Sequence, residues 1–142
     1  MSALLAVYAE AWADGAPEAL AACWDADAFR FYKAEEVAHA FLAWEEVLGY
    51  WRANVVLHER VRLGFGEPVA VPLKGGWSML WVHMRWDIRF NAAAPPPLGG
   101  RAMGGDNHVL ALLHHDRLAA WSETPDAPIS YMRRLYEAQA RI

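Results

Sequence analysis

The spacing of hydrophobic positions changes period once along this chain. Over residues 3–14, Leu4, Tyr8, Ala11 and Trp12 recur at helical spacing, and Asp14-Gly15 supplies the stop, because glycine takes the left-handed position after a helix at little cost. Pro17 and Glu18 open a second, short helix, with the acid set against the positive end of the helix dipole and Leu20, Cys23 and Trp24 on the inner side. Residues 27–33 (DAFRFYK) read as a short strand. A third helix is predicted from Glu35 on the stripe Val37, Phe41, Trp44, Leu48 and Trp51. From Val55 onward the period is two: Val61, Leu63 and Phe65 alternate with Arg60 and Arg62.

Pro68 and Pro72 confine the next stretch to an edge strand. After a turn at Lys74-Gly75-Gly76, residues 77–90 (WSMLWVHMRWDIRF) form the longest strand of the pattern, roughly 46 Å if flat, so a bulge and strong curvature are expected in it. A proline-rich loop over 91–100 leads to a return strand over 101–114, a turn at His115-Asp116 and a last strand over 117–123. Pro128 starts a C-terminal helix with Tyr131 and Leu135 on one side. Helices laid down before an antiparallel run predict a single α+β domain over 1–142, with helices covering one face of a highly curved sheet and a funnel between them.

Composition sharpens this picture. Eight tryptophans, five tyrosines and five phenylalanines in 142 residues exceed what a plain core requires and point to an aromatic-lined cavity, an oligomer interface, or both. The ligand expected in such a cavity is a small hydrophobic or aromatic molecule. The net charge of −4 and the lack of any Lys/Arg-rich run argue against a nucleic-acid partner. No apolar stretch approaches the ~20 residues needed to span a membrane, and the opening MSALLAVYAEAW lacks the basic region of a signal peptide, so cytoplasmic residence is the default. Cys23 is the single cysteine, so no intrachain disulfide is expected. Neither HExxH nor CxxC spacing occurs, and the glycines at 64–66 and 104–105 lack the residues of a nucleotide or phosphate loop, so neither metal nor organic cofactor is expected.

The strings LLAVYAEAWADG, WDADAFRFY, SMLWVHMRWDIRF and DNHVLALLHHDRLAAWSETPD, in this order, resemble the NTF2-like superfamily and within it the SnoaL-like domains. The resemblance reaches to about Asp126 and implies a cone of three N-terminal helices against a curved sheet with a pocket inside. That superfamily includes ketosteroid isomerases, limonene-epoxide hydrolases, polyketide cyclases and scytalone dehydratases, together with members that do no chemistry, so fold alone does not fix activity. Limonene-epoxide hydrolases carry Arg-x-Asp on the long strand and a second acid after a tryptophan on the last. Arg85-Trp86-Asp87 and Trp121-Ser122-Glu123 match that arrangement. Their Tyr-x-Asn is here Tyr32-Lys33-Ala34, and Glu123 replaces their aspartate; both departures count against epoxide hydrolysis. No carboxylate stands where ketosteroid isomerases keep their base, and His108 falls near the position of their proton-donating acid.

On this basis Asp87 and Glu123 are the expected acid–base pair, with Arg85 orienting Asp87 and His108 beside them. Tyr32, Tyr8, Trp44, Trp81 and His83 are the expected substrate contacts. The alternate set Leu80, Val82, Met84, Trp86, Ile88 and Phe90 is more apolar than the set containing Arg85 and Asp87. Simple burial would turn it toward the helices. The family geometry instead makes it an outer face paired in a homodimer, and a bulge could swap the phase midway. Two functional readings follow: a cofactor-independent acid–base enzyme of hydrolase, isomerase, dehydratase or cyclase type, and a non-catalytic ligand-binding or dimerisation domain.

Overall fold

A computed structural model describes residues 2–126. Helices α1 (Ser2–Ala13), α2 (Pro17–Ala22) and α3 (Trp44–Val55) precede most of the sheet, whose strands are β1 (Phe31–Lys33), β2 (His58–Phe65), β3 (Val69–Pro72), β4 (Trp77–Phe90), β5 (Ala102–His114) and β6 (Arg117–Pro125). The expected C-terminal helix lies outside the described residues. The strand order is β1-β6-β5-β4-β2, with β3 also on β4. β4 is long enough to take two partners along one edge: Ser78–Trp81 pair with β3, and Met84–Phe90 with β2. All pairings are antiparallel except β1 on β6, so the sheet is mixed rather than purely antiparallel.

β4 has the bounds its sequence predicts, but it carries no bulge against β5: thirteen consecutive pairs run from Trp77↔His114 to Arg89↔Ala102. The irregularities fall in the neighbours instead, one between His58 and Arg60 of β2 and one where β5 passes Leu112/Leu113 opposite β6. The alternation of β4 is therefore unbroken, and it decides which face is which. Leu80, Val82 and Met84 are buried in the core, and so are Val109, Ala111 and Trp121 on the same side of β5 and β6. The expectation that the Leu80–Phe90 set forms an outer, dimerising face is thus corrected. It is the concave face, turned toward the helices, as burial of the more apolar set demands. On the opposite, convex side Trp81 is 51% exposed and Leu110 37%.

Two local elements also depart from the periodicity. Residues 27–33 do not form one strand: a 3-10 turn at Ala26–Ala28 comes first, because the Asp25 side chain accepts the Ala28 N–H. The third helix starts at Trp44 rather than at Glu35. Phe41 forms an antiparallel bridge with Tyr32, donating to and accepting from its backbone, and those groups are lost to a helix. The Glu46 side chain then accepts the backbone N–H groups of Leu42 and Ala43 and fixes the start. The helical spacing of Phe41 and Trp44 still has a role, because both rings join an aromatic cluster. In it Trp44 and Trp51 meet edge to face at 5.7 Å, and Trp24, Phe29, Tyr32 and Tyr50 complete the group. Among the described residues no helix is long and apolar enough to cross a membrane.

Candidate functional site

The aromatic cluster fills one part of the cone and leaves the other open. A cavity of about 370 Å³ lies between α1, α3 and the concave face, at the low end of small-molecule sites. Its wall is mainly apolar: Leu57, Val61, Leu63, Met84, Ile88 and Met103, with the rings of Tyr8, Trp12, Tyr32, Tyr50, Trp86 and Phe90. Trp86 reaches this wall because β5 has no side chain beneath it. A Cβ on Gly105 would stand 3.1 Å from the Trp86 indole nitrogen, and one on Gly104 would stand 3.0 Å from the Trp86 carbonyl. That close approach is what the two glycines supply.

Among the described residues Glu123 is the one acid of the sheet that lines the cavity. It lies two residues after Trp121 and so shares its face. The Trp121 indole N–H donates to Oε1 at 2.9 Å, while the Glu35 backbone N–H and the Asn107 amide donate to Oε2 at 3.0 and 3.2 Å. Burial dominates its protonation and pushes Glu123 up to about 7; the bonds from Glu35 and Trp121 act the other way, and the charges of Glu36 and Glu35 add to the rise. Asn107 is 1% exposed, and its Oδ1 has no partner among the described residues. Turning that amide over offers Oδ1 to a protonated Glu123, so one side chain serves both charge states. Tyr8 and Tyr32 face the same carboxyl, and burial holds both phenols well above their ordinary value. Also on the cavity wall, burial lowers the proton affinity of His58 below that of an ordinary histidine.

Of the expected site residues, Glu123, Tyr8 and Tyr32 therefore come together. Trp44 lies in the aromatic cluster and not on the cavity wall. Arg85, Asp87, His83, His108 and Trp81 fall on the convex face, because the unbroken alternation of β4 and β5 sends them there. Asp87 accepts from Arg60 at 3.2 Å rather than from Arg85, and His83 pairs with Asp106 at 3.0 Å. His108 packs beside the rings of His83 and Trp81. Asp87 and Glu123, the expected acid–base pair, thus stand on opposite sides of the sheet, and the cavity is lined by Glu123 and not by Asp87. Asn107, Glu35, Glu36 and His58 were not anticipated. Asn107 sits in DNHVLALL, where nothing in the pattern marks it as inward. His58 and the two glutamates reach the cavity only through β2 and the loop after β1. Among the described residues no group of three or more His, Cys, Asp or Glu side chains is arranged to hold a metal ion.

By sequence, the chain matches no family model and no curated protein. Its structure is similar to an NTF2-like superfamily protein from Salmonella enterica serovar Typhimurium, at TM-score 0.72 and 7% identity over 90% of this chain and 89% of that one. It is similar to a "putative dehydratase from the NTF2-like family" of Streptomyces avermitilis, at 0.71 and 13% identity over 89% and 93%. It is also similar to an NTF2-like protein of unknown function from Exiguobacterium, at 0.65 and 11% identity over 87% and 98%. Helices on the concave side of a six-stranded sheet, an interior cavity and these likenesses agree: the chain has the NTF2-like α+β cone fold.

Proposed function

We propose that this protein binds a small, largely apolar organic molecule inside the cone and exchanges a proton with it through Glu123. The observation that carries this reading is the position of Glu123, a carboxyl group on the wall of an apolar cavity with its proton affinity raised to about 7. A group poised there gives up or takes a proton near neutral pH at little cost, which is what general acid–base catalysis asks of it. Tyr8 and Tyr32 keep their protons and supply hydroxyl groups to orient a ligand. A dehydration, isomerisation or cyclisation that needs one acid–base group fits this arrangement. A mechanism needing two carboxylates from the sheet does not, because Asp87 is on the other side. A dehydratase-like activity also accords with the description of the Streptomyces avermitilis relative.

Native mass spectrometry of protein purified from its own host, followed by a structure of the complex, tests the binding. The expected result is a small organic molecule seated against Glu123. A ligand seated on the convex face beside Asp87 would overturn the reading. Once a turnover is found, its rate should change with an inflection near Glu123's value of about 7 and be lost in Glu123→Gln, while Asp87→Asn stays active.

A further inference from the structure

Resting on the reading of the cone as a ligand chamber, we infer that the chamber is suited to an organic cation, a hydrophobic amine or quaternary ammonium, in preference to a neutral or anionic molecule. Two independent features of the wall converge on this. The first is its rings: Tyr8, Trp12, Tyr32, Tyr50, Trp86 and Phe90 all contribute, and aromatic rings attract ammonium groups, most strongly where water is excluded. The second is the sign of its charges. The acids on the wall are Glu35, Glu36 and Glu123, and among the described residues no lysine or arginine lines it.

Glu123 in particular is solvated only by neutral donors, from Glu35, Asn107 and Trp121. The groups facing it from the packed elements are Tyr8 of α1, Tyr32 of β1, Glu35 and Glu36 of the following loop and Asn107 of β5. Lys33, which adjoins the Glu35-Glu36 loop in sequence, donates to the Ala34 carbonyl and acts on Glu36 rather than on Glu123. Burial disfavours the charged form of His58. An ionised Glu123 in this chamber thus has negative neighbours and no positive one among the described residues, and a bound ammonium supplies the missing charge. A neutral amine reaches the same state by taking the Glu123 proton onto its nitrogen, which leaves a carboxylate–ammonium pair and breaks no other bond. An anion would meet three carboxylates.

Calorimetric titration of the full chain with three benzyl compounds of similar size separates these cases: benzyltrimethylammonium, its neutral isostere neopentylbenzene, and phenylacetate. At about pH 8.5 the cation should bind more tightly than either of the others by about tenfold or more. Its affinity should fall roughly 30-fold at about pH 5.5, where Glu123 is protonated, while that of neopentylbenzene stays constant. Near neutral pH, titrations in buffers of different ionisation enthalpy should show a proton released as the cation binds. Glu123→Gln should flatten the pH dependence and keep weak cation binding from the rings. If that variant fails to fold, the contrast between cation and isostere in the unaltered protein decides alone. Equal or tighter binding of neopentylbenzene or phenylacetate at the higher pH overturns the inference and leaves the chamber reading standing. Failure of all three to bind overturns both.

Discussion

On one side of β4, Leu80, Val82 and Met84 are buried against the helices, and Trp86, Ile88 and Phe90 continue the row into the cavity wall. On the other side the same strand shows Met79, Trp81, His83, Arg85 and Asp87, where Trp81 is half exposed and Asp87 pairs with Arg60 near the surface. Both rows mix large apolar groups with groups able to titrate or donate a hydrogen bond. What separates them is cover. A carboxyl group under the helices loses water and has its proton affinity moved, as at Glu123. Asp87, on the same sheet but 46% exposed in its side chain, keeps its solvent. The surroundings of an acid on this sheet are therefore set by the side it faces more than by residue type.

The largest effect that tests this contrast comes from two tryptophans of one sheet. Trp121 is fully buried, lies 4.9 Å from the Tyr8 ring and holds Glu123. Trp121→Ala should cost about 3–5 kcal/mol in urea unfolding. Trp81→Ala on the convex face should cost less than about 1 kcal/mol. Comparable losses at the two positions would erase the distinction between the faces.

The next effect concerns pH. Glu123 binds its proton more tightly folded than unfolded, with a value of about 7 against 4.5. Its contribution to stability is therefore complete below 4.5 and is lost as pH rises through 7. The loss amounts to at most about 3 kcal/mol. The difference in unfolding free energy between the unaltered protein and Glu123→Gln, followed across that window, should drift by this amount. A difference that stays level would show that the carboxyl group is not desolvated.

The smallest effect is on the convex side. Asp87→Asn removes an ion pair whose side chains are 41% and 46% exposed, and should change stability by less than about 1 kcal/mol and ligand affinity not at all. A marked loss of binding in this variant would move the site to the other face.

Much of the fold was readable from the sequence. The bounds of β4, the Lys74–Gly76 turn and the turn at His115-Asp116 follow from alternation and turn chemistry, and the last of these uses left-handed backbone at both residues. The facing of β4 was readable too, since the more apolar row went inward. The contrary assignment rests on the resemblance of Arg85-x-Asp87 to the limonene-epoxide hydrolase motif, and a motif on a strand carries no information about which side faces the helices. The start of α3 was obscured because Phe41 suits a helical stripe and a bridge to Tyr32 equally well. Glu123 was marked as a candidate by its position after a tryptophan. Its partners were not, because Asn107 and the Glu35 backbone reach it from β5 and from a loop 88 residues away in sequence. Such contacts are set by tertiary packing, which leaves no periodic trace.

The bare stretch of β5 beneath Trp86 has a consequence for how chains of this kind diversify. Gly105 contributes no atom to the chamber, yet its lack of a side chain lets the Trp86 ring sit where it does. One added methyl there would displace the ring, and the ring is wall. The capacity of the chamber can therefore be inherited separately from its acid. Replacing Gly105 shifts the Trp86 ring and so the volume of the cavity, while Glu123 keeps its three donors. The room inside the cavity thus depends on a position that does not line it.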